Sequence, residues 1–423
     1  MEDWKLRVPR ADAAPFAMIE SNREFSKEFQ LALVCARWPL SAADKEEIRT
    51  RAKPGLDWNQ CFRIFDRNQM IPLAYRNLCD ASADLVGTER LETLKQRVLA
   101  LTSQSLSQAA ELYRIAEHAR KAGVNIIALK GVILSILAYG GIALRSPGDI
   151  DLLTEADKVL ELEAILSKLG YIRYEPKASL TPRRLKHYLK YYKHFAYVSE
   201  SKAIALEVHW RLFHNNHLTE PVLEPSKTIQ VPVGAGMVST LSRSELFLYL
   251  CVHGTIHGWP VLKWLADIGA LLRAMTEDDL RAIVSLAAER GLTSQLRATM
   301  LLVDSFIAVD HPAIEFPQTN DAVVRRIVSM ARRLLTANDY CLAIEDFPRF
   351  GMFMYDIGIG PSWRYRGEDI LRAMFFPDDW ETVDLPDSLF PLYAVVRPVS
   401  WMMRQLSRVP RRLLGANHRP LPS

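Results

Sequence analysis

The sequence predicts an α+β fold in which a small sheet-bearing core is flanked by helical regions. Three observations carry this. Before residue 115 and again after residue 236, apolar residues recur at three- and four-residue spacing, the period of a helix with one buried face. Between these stretches, short apolar or alternating runs punctuated by glycine read as strands. The chain has 423 residues, 49% hydrophobic and 24% charged, with mean hydropathy −0.03. That composition suits a folded chain and argues against wholesale disorder, collagen or coiled coil. At roughly 100–200 residues per domain it allows two to four domains.

Residues 1–115 read as a helical region. Residues 26–37 and 91–116 are helically periodic, and Pro39, Pro54-Gly55 and Pro72 punctuate them. Phe62, Ile64 and Phe65 are expected in the core. Residues 116–235 change character and form the α/β core. Residues 124–129 are a short apolar run, and residues 149–153 alternate acidic with apolar, the pattern of a half-buried strand. Thr154 is expected to cap a helix with apolar face Val159, Leu162, Ile165, Leu166 and Leu169, and Gly170 to end it. Residues 195–199 and 204–210 flank Glu200-Ser201-Lys202-Ala203 as a hairpin. Residues 236–340 read as helical again, with capping boxes at Ser242/Glu245 and Thr276/Asp279 and an amphipathic stretch over 261–275. Residues 341–423 are irregular and basic.

Charge and cysteine usage set limits. Lys+Arg is 53 and Asp+Glu 49, a net of +4, which gives no strong nucleic-acid signal. The five cysteines, Cys35, Cys61, Cys79, Cys251 and Cys341, are scattered without a CxxC pair, so neither a disulfide framework nor a structural zinc site is expected. A reducing, cytoplasmic setting suits them. Met1-Glu2-Asp3-Trp4-Lys5 carries acids early and lacks an apolar h-region, unlike a signal peptide. Residues 126–144 approach the length of a membrane span but contain Lys130, Gly131, Gly140 and Gly141. A buried strand, a turn at Lys130-Gly131 and a short helix explain them better.

The strongest chemical signal is Arg145-Ser-Pro-Gly148-Asp149-Ile-Asp151-Leu-Leu. On a strand, residues i and i+2 share a face, so Asp149 and Asp151 project together while Ile150 and Leu152 anchor the other side. Two such carboxylates can share divalent cations, and magnesium suits oxygen ligands. Asp-x-Asp also occurs on solvated edge strands, so the pair alone is not specific. Upstream, Lys130-Gly131 stands at a strand-to-helix turn, where backbone N–H groups and a helix N-terminus favour an anion. The spacing is not that of a Walker A loop, and a buried turn with a snorkelling lysine is the other reading. Downstream, Glu207 in Ala205-Leu-Glu-Val-His209-Trp-Arg211 would place a third carboxylate on a neighbouring strand.

This order, a Lys-Gly turn, an Asp-x-Asp strand and then an acid on a later strand, resembles the DNA polymerase beta-like nucleotidyltransferase superfamily. Within it the chain resembles a bacterial family of uncharacterised nucleotidyltransferases. Leu129-Lys130-Gly131, the Arg145-to-Asp151 segment and Glu207-Val-His209-Trp210-Arg211 carry the likeness. So do His253-Gly-Thr-Ile-His257-Gly-Trp259 with Leu262, Trp264 and Asp267, and later Pro391-Leu-Tyr393 with Arg397-Pro398. The superfamily turn is usually Gly-Gly or Gly-Ser, from which Lys130-Gly131 departs.

The resemblance implies a small mixed-sheet nucleotidyltransferase core between helical domains. It implies Asp149, Asp151 and Glu207 as catalytic residues and ligands of Mg2+ or Mn2+, with an NTP as substrate. Lys130, Gly131, Arg145, His209, His253 and His257 would contact the nucleotide. A nucleoside monophosphate would pass to an unidentified acceptor, and pyrophosphate would leave. The alternative is a non-catalytic member of the fold that binds a nucleotide or a partner as sensor or scaffold.

Seven of the ten histidines lie between His187 and His257. His253 and His257 share a helix face, but Gly254 follows the first, so the metalloprotease pattern fails. Their other reading is a helix face packed on its own domain with hydrogen-bonded imidazoles, and Asp267 is a candidate partner. Residues 388–423 contain six arginines and no acid, among apolar residues that include Trp401, Met402, Met403, Leu413 and Leu414. Such a segment suits a peripheral membrane contact or a partner protein, or packs locally.

Overall fold

A computed structural model describes residues 25–215, 224–311, 316, 320–336, 349–360 and 362–406. In chain order the elements begin α1 (Lys27–Cys35), α2 (Ala42–Arg51), α3 (Trp58–Arg67), α4 (Ile71–Val86) and α5 (Thr88–Lys121). There follow β1 (Ile127–Ala128), α6 (Val132–Tyr139), β2 (Ile150–Leu153), α7 (Val159–Lys168), β3 (Ile172–Glu175), α8 (Pro182–Tyr191), β4 (His194–Ser199) and β5 (Ile204–His209). The remainder is β6 (Thr228–Val233), β7 (Gly236–Leu241), α9 (Arg243–His257), α10 (Leu262–Arg273), α11 (Glu277–Glu289), α12 (Thr293–Phe306), α13 (Asp321–Thr336), α14 (Arg349–Ile359), α15 (Trp363–Met374), α16 (Asp378–Thr382) and α17 (Tyr393–Leu406). This is an α+β chain with a small mixed sheet and helices on both sides of it in sequence. Among the described residues, no helix is long and apolar enough to cross a membrane.

The chain forms two compact units drawn from alternating stretches. The first takes its residues from 1–113, 129–147 and 224–361, the second from 114–128, 148–223 and 362–423.

The first unit is mainly helical, with the β6–β7 hairpin added. Ser26 starts α1 by accepting from Phe29 N, and Ser41 with Asp44 forms a capping box on α2. Phe65 and Cys61 are buried, whereas Phe62 and Ile64 are only half-buried, because one helix cannot turn 62, 64 and 65 to the same side. Helix α10, expected to be amphipathic, is buried almost all round, Lys263 and Asp267 included. Thr276 and Asp279 make a full capping box, but Ser242 and Glu245 do not. Ser242 caps α9 alone, since both Glu245 oxygens accept from Arg290, at 2.6 and 2.7 Å. The first residues of the 236–340 stretch are a strand, β7, where alternating Val238, Thr240 and Ser239 pair with β6.

The second unit is built on the five-stranded sheet, ordered β1-β2-β5-β4-β3. Strands β2 and β5 run parallel and every other neighbouring pair antiparallel. The hairpin is present as β4 and β5, turning at Glu200–Ala203 with Ala203 at φ 52°. Helix α7 buries Val159, Leu162 and Leu166, and Gly170 follows it at φ +87° while Tyr171 N donates to Leu166 O. Thr154 does not cap that helix. Its hydroxyl donates to Asn125 O at 2.8 Å, and α7 starts at Val159 after Lys158. Phe195 packs against Tyr188 and Trp210, and Arg184, 2% exposed, is held by Asp384 and the Tyr393 hydroxyl. The described part of the basic C-terminal stretch ends in α17, with Pro398 inside it; Pro410, Leu413, Leu414 and, earlier, Cys341 lie outside the described residues.

Candidate metal centre

Register assembles the site. In the parallel β2–β5 pair, Asp151 stands opposite Glu207 and Leu153 opposite His209. In the antiparallel β4–β5 pair, His194 stands opposite His209 and Ala196 opposite Glu207. Cross-strand partners share a face, and so do residues two apart along a strand. One face therefore carries Asp151, Glu207, His209 and His194, while Ile150, Leu152, Leu206, Val208, Phe195 and Tyr197 project from the other into the core. Asp149 precedes β2 directly, half-buried, after exposed Gly148.

One carboxylate oxygen each of Asp149, Asp151 and Glu207 lies within 4.8 Å of the other two. The residue Asp151 is only 2% exposed. Burying one carboxylate is costly, and setting like charges opposite each other on adjacent strands adds to the cost. Such an arrangement departs from what stability alone favours, which is where functional sites are expected. The donor set is all oxygen and anionic, which fits a hard divalent cation such as Mg2+ or Mn2+.

Imidazoles stand close to these acids. His209 Nε2 is 3.0 Å from Glu207 Oε2 and 3.3 Å from Asp151 Oδ1, and His194 Nδ1 is 3.6 Å from Glu207 Oε2. Burial would raise the Glu207 carboxyl, but the imidazoles of His209 and His194 and the Lys193 cation together hold it well below the usual range. Burial pushes His194 down to about 3, although the Glu207 charge opposes this. Burial raises Tyr174 as well, and the charges of Glu207, Glu175 and Asp149 raise it further. Glu175 is raised by burial of its carboxyl and then by Glu207.

His194 was not apparent from composition or motif. Its signal is the hairpin itself: extending the 195–199 and 204–210 runs around the 200–203 turn sets residue 194 opposite 209.

The other sequence-predicted residues belong to the first unit. Gly131, at φ 61°, starts α6 without a side-chain cap, and Lys130 before it is half-buried. Arg145 and Asp267 form a buried ion pair, Nε to carboxylate oxygens at 3.0 and 3.1 Å, and the Tyr139 hydroxyl donates to Asp267 at 2.9 Å. Asp267, expected beside a histidine, is thus engaged by Arg145 and Tyr139. Ser146 continues this anchorage by donating to Gln69 O at 2.8 Å.

His253, buried, and His257, exposed, cluster with Trp264 in tilted and edge-on contacts, the three ring centroids 4.6–5.7 Å apart. The glycines between and after them serve the helix end. A Cβ on Gly254 would meet the buried Trp259 indole at 2.5 Å, and Gly258 at φ +71° closes α9 in the left-handed region.

No curated protein matches the chain. The family described as uncharacterised nucleotidyltransferase matches residues 54–308, more than half of the sequence, and this span contains β1 to β7 and every acid and imidazole of the site. With a mixed sheet that sets Asp149, Asp151 and Glu207 side by side, the chain belongs to the uncharacterised nucleotidyltransferase family.

Proposed function

We propose that the chain transfers a nucleoside monophosphate from an NTP to an acceptor hydroxyl and releases pyrophosphate. An O–P bond forms at the α-phosphorus, and the bond from that phosphorus to the pyrophosphate oxygen breaks. The observation that supports this best is the register of Asp151 opposite Glu207 across β2 and β5, with Asp149 completing three carboxylates within 4.8 Å. The reading rests on the second unit alone.

Asp149, Asp151 and Glu207 would hold magnesium or manganese. Bound there, the ion would orient the triphosphate, offset its charge and lower the pKa of the acceptor hydroxyl. Glu207 is the residue we assign to receive the acceptor proton. His209, 0% exposed and 3.0 Å from Glu207 Oε2, orients that carboxylate. Ala196, opposite Glu207 on β4, puts no bulk beside it.

Calorimetric binding of a set of non-hydrolysable NTPs, with and without Mg2+, tests the reading. Wild type and the Asp149→Asn/Asp151→Asn double variant are compared. Binding that requires Mg2+ and disappears in the double variant is expected. Equal binding by both proteins, or none by folded wild type, would overturn it. Binding without turnover across many acceptors would favour the sensor or scaffold alternative.

A further inference from the structure

The imidazoles on the acidic face are not ligands of an all-oxygen centre, and they are unusually placed. One ligand atom each of His194, Glu207 and His209 lies within 4.8 Å of the other two. His209 is 0% exposed with Nε2 turned to two carboxylates, 3.0 Å from Glu207 Oε2 and 3.3 Å from Asp151 Oδ1, while Nδ1 of His194 makes no directed hydrogen bond among the described residues. Buried ring nitrogens are normally hydrogen-bonded, so an imidazole held this way calls for another partner. The separations suit a metal. Three ligands at about 2.0–2.2 Å from a tetrahedral ion stand about 3.3–3.6 Å from one another. His194 Nδ1 to Glu207 Oε2 is 3.6 Å, and His209 Nε2 to Glu207 Oε2 is 3.0 Å. Asp151 Oδ1 is 3.3 Å from His209 Nε2, a separation that also suits two ligands of one ion.

We infer that His194, Glu207 and His209 form a second, nitrogen-containing site that takes a zinc-class divalent cation. Two imidazoles and a carboxylate favour such an ion over Mg2+, which prefers oxygen alone. Rigid strands present the ligands: β4 and β5 pair antiparallel with His194 facing His209. Glu207 belongs to both groups of ligands. Occupancy on the imidazole side therefore changes what the Glu207 carboxylate can offer to an ion held by Asp149 and Asp151. The inference goes beyond nucleotidyl transfer and stands without it, since it needs only the geometry of β4 and β5.

The test uses metal-free, full-length protein. Zn2+ is titrated calorimetrically into wild type, His194→Gln and Asp149→Asn, with a melting curve for each. Zn2+ is expected to bind wild type, to bind His194→Gln at least about tenfold more weakly, and to bind Asp149→Asn within about threefold of wild type. Zn2+ binding lost in Asp149→Asn but kept in His194→Gln would assign the ion to the carboxylates and overturn the inference. So would wild type binding no tighter than His194→Gln. Should His194→Gln not fold, the Co2+-loaded wild type decides. Intense visible absorption from a low-coordinate site supports the inference, and the weak bands of a six-coordinate oxygen site overturn it. Mg2+-dependent nucleotide binding by wild type and Asp149→Asn, run in parallel, reports on the carboxylate centre separately.

Discussion

Arg145 precedes the acids by only four residues, and its side chain is 6% exposed against an Asp267 carboxylate that is 2% exposed. Removing one member of such a pair strands the other charge in a medium that solvates it poorly. Asp267→Asn should therefore lower the unfolding free energy by about 3–5 kcal/mol, read from chemical denaturation, and Tyr139 loses a charged acceptor as well. A loss below about 1 kcal/mol would mean that solvent reaches Arg145 after all. The pair also shows what a sequence conceals. Asp149 and Asp151 could be placed on one face from their spacing alone, because strand periodicity is local. Nothing local ties Arg145 to Asp267, 122 positions away, or sets Glu207 opposite Asp151 rather than one residue off. A slip of one residue would have turned Glu207 to the apolar side.

Elements were legible where one segment decides its own form, and less so where tertiary partners compete. The β4–β5 hairpin and the Thr276/Asp279 box are of the first kind. Thr154 and Glu245 are of the second: Asn125 O and Arg290, both distant in sequence, take the groups that would have capped a helix. Helix α8 shows tertiary influence on charge. His187 sits among Tyr191, Phe375, Phe390 and Trp380, with ring centroids 4.6–6.0 Å away. Burial in this apolar setting, helped by the Lys190 cation, lowers its pKa to about 4. The unfolded chain has the ordinary value of 6.5, so it binds the proton more readily than the folded one. The contribution to stability is thus complete above pH 6.5 and declines as pH falls toward 4. Solvent screening of a ring that is not fully buried limits this to about 2 kcal/mol. His187→Phe should flatten stability against pH in that window. An unchanged slope would move the titration to another histidine.

At the scale of the whole molecule, the two units differ in how they meet the cost of folding. The first buries apolar helix faces, among them Phe247, Leu265, Ile268, Leu302 and Ile327. The second also buries Asp151 and His209 on its sheet beside half-buried Asp149, Glu207 and His194, groups whose burial opposes folding until a cation binds. A ligand that binds only the folded form stabilises it by RT ln(1 + [L]/Kd), about 2.7 kcal/mol at a hundredfold excess over Kd. That energy belongs to the elements whose opening destroys the site. Amide hydrogen exchange with Mn2+ present should therefore slow in β2 and β5 by up to about 100-fold where exchange needs the second unit to unfold. Rates in α9 to α12 of the first unit should stay as they were. Asp151→Asn should lose the protection, because it removes a carboxylate on the central pair of strands. Protection that appeared in α9 to α12 and not in β2 and β5 would put the cation elsewhere in the chain. Unchanged rates throughout, at Mn2+ well above millimolar, would leave the three carboxylates without the ion that their arrangement favours.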